Sequence, residues 1–176
     1  MKKYIEDVMK VKESEDEKIY FSEYNPDDLG QIISTRSKFL LQQKKQTQTV
    51  LYNISIIIDD SSASPACFKH DGHLHGLCTR GRHNSISVCC STQKYNAVAP
   101  LCRVTSSFLC VFRLRTAKDI ETVIEELSAL LPRKELLELY QLATKEPYSF
   151  LYINLVAKTL NNMFYVNFKQ KVTFDD

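Results

Sequence analysis

The run Ile56-Ile57-Ile58-Asp59-Asp60 constrains this chain more than any other stretch. Three consecutive β-branched residues favour an extended backbone, because branching at Cβ restricts the side chain against a preceding helical turn. Two adjacent carboxylates then end the apolar run, since a charge without a partner must reach water. Leu51 to Ile58 is therefore read as a strand. Ile86 to Ser91 and Phe108 to Leu114 have the same short, apolar form. Such runs suit strands buried on both faces of a parallel sheet.

Parallel neighbours need a crossover, and Lys69 to Thr79 supplies a helical segment between the first two strands. Upstream, Asn25-Pro26-Asp27-Asp28 marks a helix start, with proline and acids in the first turn, running to about Gln43. Residues 1 to about 12 are a further helical stretch, and Gln42 to Thr49 is a polar linker. Downstream, Ile120, Val123, Ile124, Leu127 and Leu130 recur at helical spacing until Pro132 stops them. Arg133 to Ala143 follows as a second amphipathic helix. Ser149 to Val156 and Phe164 to Phe168 read as closing strands joined around Lys158 to Asn162. Strands alternating with helices define an α/β fold. The expected division is a helical N-terminal segment and linker over 1–50 and one α/β core over 51–176.

An apolar fraction of 44% over 176 residues supports one real core. The formal net charge of +2 is too small to define a nucleic-acid binder. No signal peptide or membrane-spanning run is present. None of the six cysteines forms a C-x-x-C pair, which fits a reduced, intracellular protein. Cys89 and Cys90 lie mid-strand, point to opposite faces and read as core cysteines. Cys67, His70, His73, His75 and Cys78 are all of zinc-ligand type, but their spacing matches no zinc finger, so a polar loop entering a helix is preferred. Phe150, Tyr152, Phe164 and Phe168 read as a packed sheet face in preference to a base-stacking platform. Arg103, Arg113, Arg115 and Lys118 suit either a solvated rim or contact with a DNA backbone.

In open α/β sheets ligands sit at the carboxyl ends of strands, where Asp59 and Asp60 fall. The pair has the form of a Walker B element, in which one acid supports Mg²⁺ and the next faces the attacking water. The alternative is a surface turn, for which Asp-Asp-Ser-Ser is good chemistry. The usual G-x-x-x-x-G-K-[ST] partner loop is absent from this sequence, whose four glycines are Gly30, Gly72, Gly76 and Gly81. The second strand ends in Ser91-Thr92-Gln93, where a glutamine can orient water or cap the next loop. Arg80-Gly81-Arg82-His83 is either a phosphate-reaching or a solvated basic turn.

With IIIDD before it, the run RGRHNSISVCCSTQKYNAVAPLCRVTSSFLCVFRLR resembles the DNA-packaging ATPases of large DNA viruses and Polinton/Maverick-type elements, P-loop motors of the FtsK–HerA class. The later run EELSALLPRKELLELYQLATKEPYSFLYINL is similar to the same family. The resemblance implies a partial P-loop NTPase core, mostly parallel sheet with flanking helices and a C-terminal strand pair. It implies the C-terminal part of such an ATPase, without the phosphate-binding loop and with one open sheet edge. Residue by residue, Asp59 matches the Mg²⁺-side acid, Asp60 the catalytic carboxylate and Gln93 the sensor glutamine. Arg82 matches the trans-acting arginine finger, and Arg103 is a second candidate for that place. The implied ligands are ATP and Mg²⁺. The implied partners are identical subunits in a ring or full-length ATPase subunits, and double-stranded DNA, with no membrane. Without the loop, the chain alone is expected to hydrolyse no ATP. Its alternative role is a non-catalytic protein that completes a full-length subunit's site.

Overall fold

The computed structural model describes residues 19–45, 53–59 and 72–174. Helix α1 (Pro26–Lys45) starts where the proline and acids place it. Asn25 Oδ1 accepts the Asp27 N–H at 3.0 Å, and Asp27 and Asp28 set negative charge against the helix N-terminus. Strand β1 (Ile54–Ile58), helix α2 (Gly72–Arg80) and strand β2 (Ile86–Cys90) follow. The two strands pair in parallel, with Ile54 opposite Ile86 and Ile58 opposite Cys90. Leu74 and Leu77 of α2 pack with Leu29 of α1, Ile86 and the inward side chains of Ile54, Ile56 and Ile58.

Among the described residues only one face of this strand pair is covered, which corrects two expectations. Burial alternates along β1, and Ile57 is 65% exposed. Cys89 and Cys90 are both exposed and are not core residues. Successive side chains take opposite faces, and α1 and α2 pack on the inward set, which leaves Ile57 and Cys89 outside; Cys90 shares the face of Ile86 and Val88 but is exposed at the carboxyl end of β2.

The second half holds α3 (Pro100–Val104), β3 (Phe108–Phe112), α4 (Ala117–Leu127), α5 (Arg133–Ala143), β4 (Phe150–Asn154), β5 (Phe164–Val166) and β6 (Gln170–Lys171). Strands β3 to β6 form a four-stranded antiparallel sheet in chain order. The α/β class holds, but among the described residues parallel pairing is confined to β1 and β2. Strand β3, expected to extend it, runs antiparallel to β4 because the α4–α5 hairpin turns the chain back alongside it. Among the described residues, β2 has no strand on the side away from β1, and β3 has none on the side away from β4.

The main core lies between this sheet and α4–α5. Val111, Leu151, Ile153 and Phe164 meet Val123, Ile124, Leu127, Leu136, Leu139 and Tyr140. Tyr140 Oη accepts the Leu114 N–H at 2.7 Å, tying α5 to the end of β3. Phe164 is fully buried, as a packed sheet face requires. The other aromatics cluster on the opposite, outer face in tilted and edge-to-face contacts, with Phe112–Phe150 at 4.8 Å and Phe150–Phe168 at 5.0 Å. Among the described residues no helix is long and apolar enough to cross a membrane.

Candidate functional site

Because β1 and β2 are parallel and in register, their carboxyl ends coincide. Asp59 follows one and Ser91 the other. The Ser91 N–H donates to the Ile58 carbonyl at 2.8 Å, extending the ladder by one step. The Ser91 hydroxyl then donates to Asp59 Oδ1 at 2.6 Å. Asp59 is exposed, so its carboxylate is fixed in direction yet open to solvent. Carboxylate and hydroxyl form an oxygen-only donor set. That set fits Mg²⁺, which takes one or two carboxylates and fills its remaining positions with water or phosphate oxygens. Asp60 lies outside the described residues.

Gln93 stands exposed two residues beyond Ser91, in a loop fastened at several points. Thr92 Oγ1 donates to the Lys94 carbonyl at 3.1 Å and accepts the Lys94 N–H at 3.3 Å. The Asn96 backbone N–H and side-chain Nδ2 both donate to Asp119 Oδ1, at 3.0 and 2.8 Å. Thr116 caps α4 by accepting the Asp119 N–H, and its hydroxyl donates to Asp119 Oδ2 at 2.6 Å. Burial of Asp119 acts to raise its pKa. Hydrogen bonds from Thr116 and Asn96, with the Lys94 charge, outweigh this and hold it below the ordinary value.

A second fastening uses Tyr95, Arg103 and Glu126. The Tyr95 hydroxyl donates to Glu126 Oε2 at 2.7 Å, and the Arg103 guanidinium lies 5.0 Å from the Tyr95 ring. Arg103 Nη2 donates to Glu126 Oε1 at 2.7 Å, and Nη1 to the Val98 carbonyl at 2.7 Å. Burial, followed by the Glu126 hydrogen bond, pushes the Tyr95 phenol upward. Arg103 is thus buried and held from inside, under the loop that carries Gln93.

Arg82 sits elsewhere. It is exposed on a single 3₁₀ turn, Gly81–Asn84, just before β2. Gln93 follows the other end of that strand, roughly 16 Å away along five residues of strand rise. The fold therefore does not bring Arg82 to Asp59 and Gln93 within one chain. The turn is rigidly seated: Arg36 Nε donates to the Asn84 carbonyl at 3.2 Å and Ser37 Oγ to Asn84 Oδ1 at 3.2 Å. A Cβ on Gly81 would lie 2.8 Å from the Ile86 carbonyl oxygen, so only glycine fits without a shift.

The histidine-rich stretch does not assemble a metal centre among the described residues, where no group of three or more His, Cys, Asp or Glu is placed to hold an ion. Cys67 and His70 lie outside them. The His73 ring instead packs over Gly30 of α1. The sequence reading missed the roles of Ser91, Asn96, Asp119 and Glu126. Thr116-x-x-Asp119 carried one usable signal, the spacing of a capping box. The other contacts join residues far apart in the chain.

The fold, a parallel strand pair with an appended antiparallel sheet and flanking helices, is similar to that of a viral genome-packaging NTPase. The genome packaging NTPase B204 from Sulfolobus turreted icosahedral virus 2, solved in complex with AMP, matches with a TM-score of 0.56 at 17% identity over 84% of this chain. This chain spans 64% of that structure's length. It belongs to the Poxvirus A32 protein family, whose model matches residues 2–172. No curated protein matches it significantly.

Proposed function

We propose that this chain is the Walker B half of an ATP-driven, DNA-packaging motor of the FtsK–HerA class. The contact between Asp59 and Ser91 carries the reading. It sets an oriented carboxylate at the carboxyl ends of adjacent parallel strands, with Gln93 two residues on. Asp59 holds Mg²⁺, with the Ser91 hydroxyl fixing its rotamer. A bound Mg²⁺ supplies positive charge against the phosphates of ATP. Asp60 orients and polarises the attacking water, and Gln93 senses the γ-phosphate. The clamp of Asn96 on Asp119 and of Tyr95 on Glu126 keeps the Gln93 loop from drifting. That AMP is bound in the B204 structure supports a nucleotide as ligand.

Arg82 serves a neighbour's site. Its place at the far end of β2 from Gln93 favours action in trans, in a ring of identical subunits moving double-stranded DNA within a reducing, intracellular compartment. Arg103 supports the glutamine loop from beneath. No glycine-rich cradle for the triphosphate occurs in the 176-residue sequence. Positioning supplies most of the catalysis in phosphoryl transfer, so the chain alone hydrolyses no ATP above background. Hydrolysis by purified protein that disappears in Asp60→Ala would overturn this expectation.

A second reading has one observation in its favour: Arg82 is exposed on a well-seated turn at the far end of β2 from Gln93. The chain then acts as a non-catalytic subunit that completes the site of a full-length ATPase. Mixing with a full-length family ATPase tests it. A change in that enzyme's rate that is lost in Arg82→Ala supports the trans role, and no change in either direction removes it.

A further inference from the structure

A cleft of about 570 Å³ opens where the end of β3 meets α4 and α5. Small-molecule sites run from about 300 to 1,000 Å³. Leu114 just after β3, Ile120 of α4 and Leu137 of α5 give it apolar walls. Its rim carries Arg113, Gln141 and Lys145, all exposed. Leu137, Gln141 and Lys145 are four residues apart, so they follow one side of α5 and the turn that continues it. The cleft is held in shape from beneath. Tyr140 Oη accepts the Leu114 N–H at 2.7 Å and donates toward the Phe112 carbonyl at 3.5 Å. The Thr144 hydroxyl donates to the Tyr140 carbonyl at 2.8 Å.

The charge in this cleft is of one sign. No carboxylate lines it. Among the described residues neither Arg113 nor Lys145 takes part in an ion pair, and Glu138 of α5 is engaged with Lys134 at 3.9 Å. The carboxyl end of α5 opposes the two cations with about half a negative charge, which leaves a clear positive excess.

We propose that this cleft binds a small phosphate monoester with an apolar body. A monoester carries roughly −1.5 to −2 charge at neutral pH, which matches two cations. A carboxylate would leave one of them without a counter-charge. The arginine fork donates to two phosphate oxygens at once, and lysine adds a point charge. Leu114, Ile120 and Leu137 cover the body of the ester, a contact that inorganic phosphate cannot make. The cleft shares no residue with Asp59, Ser91 and Gln93, so the inference stands independently of the nucleotide reading.

The test titrates phenyl phosphate into the 176-residue chain and follows backbone amide shifts by NMR. The expected result is saturable shifts at Arg113, Gln141 and Lys145. Inorganic phosphate and benzyl alcohol, each offering half of the recognition, bind at least about tenfold more weakly. Arg113→Gln and Lys145→Gln, at exposed positions, keep the fold and each weaken binding about tenfold, as loss of a charged hydrogen bond does. AMP titrated beside phenyl phosphate separates a nucleoside from a smaller apolar body, and saturable binding of either ester at these residues supports the site. Shifts that do not saturate, equal affinity for inorganic phosphate, or unchanged binding in both variants would overturn the proposal.

Discussion

Arg103 and Glu126 meet at 2.7 Å beneath the loop that carries Gln93, and the same carboxylate accepts the Tyr95 hydroxyl. One glutamate on α4 thus holds both an arginine from α3 and a tyrosine from the glutamine loop. The shared contact makes the loop's position depend on packing around α4, at the edge of the main core.

Truncating Arg103 leaves Glu126 half-paired and the Val98 carbonyl without its donor. Arg103→Ala is expected to lower stability by about 1–3 kcal/mol, because the Val98 carbonyl loses its donor while Glu126 is partly open to water. Urea denaturation measures this. An arginine held for a neighbouring subunit alone would leave the midpoint unchanged.

Asp119 makes stability depend on acid. Its folded pKa lies below the ordinary 3.8, so its contribution is complete above that value and is lost as pH falls through the folded pKa. Asp119→Asn should be less stable than the parent near neutral pH, with the two converging as pH drops below about 3.8. Denaturant midpoints taken over that range check the sign. A constant difference would show that the carboxylate's charge is not what holds Asn96.

Two glycines should respond in opposite directions. Gly81→Ala forces a Cβ against the Ile86 carbonyl at 2.8 Å and should destabilise by about 1–3 kcal/mol. Gly76, inside α2, has open space where its Cβ would stand. Gly76→Ala should therefore stabilise by up to about 1 kcal/mol through helix propensity and reduced unfolded-state freedom. Thermal unfolding of the two variants beside the parent decides it.

Local signals were readable in the chain. The Asn25-Pro26 start of α1, the Arg133–Ala143 helix and the acid-tipped β1 strand all depend on neighbours within a few residues. The direction of β3 was not, because pairing with β4 depends on how the α4–α5 hairpin packs. Exposure of Ile57 and Cys89 was hidden too: an apolar run reads the same whether one face is covered or both. Of the candidate site, Asp59 and Gln93 stand out in the sequence as polar residues ending strands, but the separation of Arg82 from them does not. The Asn96–Asp119 and Arg103–Glu126 contacts each span 23 positions, beyond any periodicity.

On the proposed function, Asp59 is the acid that would hold the metal ion of a nucleotide site. Its most direct test uses Mn²⁺ in place of Mg²⁺, with backbone amide resonances followed by NMR in the presence of ATP. Selective paramagnetic broadening at Asp59, Ser91 and Gln93, abolished in Asp59→Asn, is the predicted result. Uniform weak broadening, or local broadening that persists in Asp59→Asn, would contradict it.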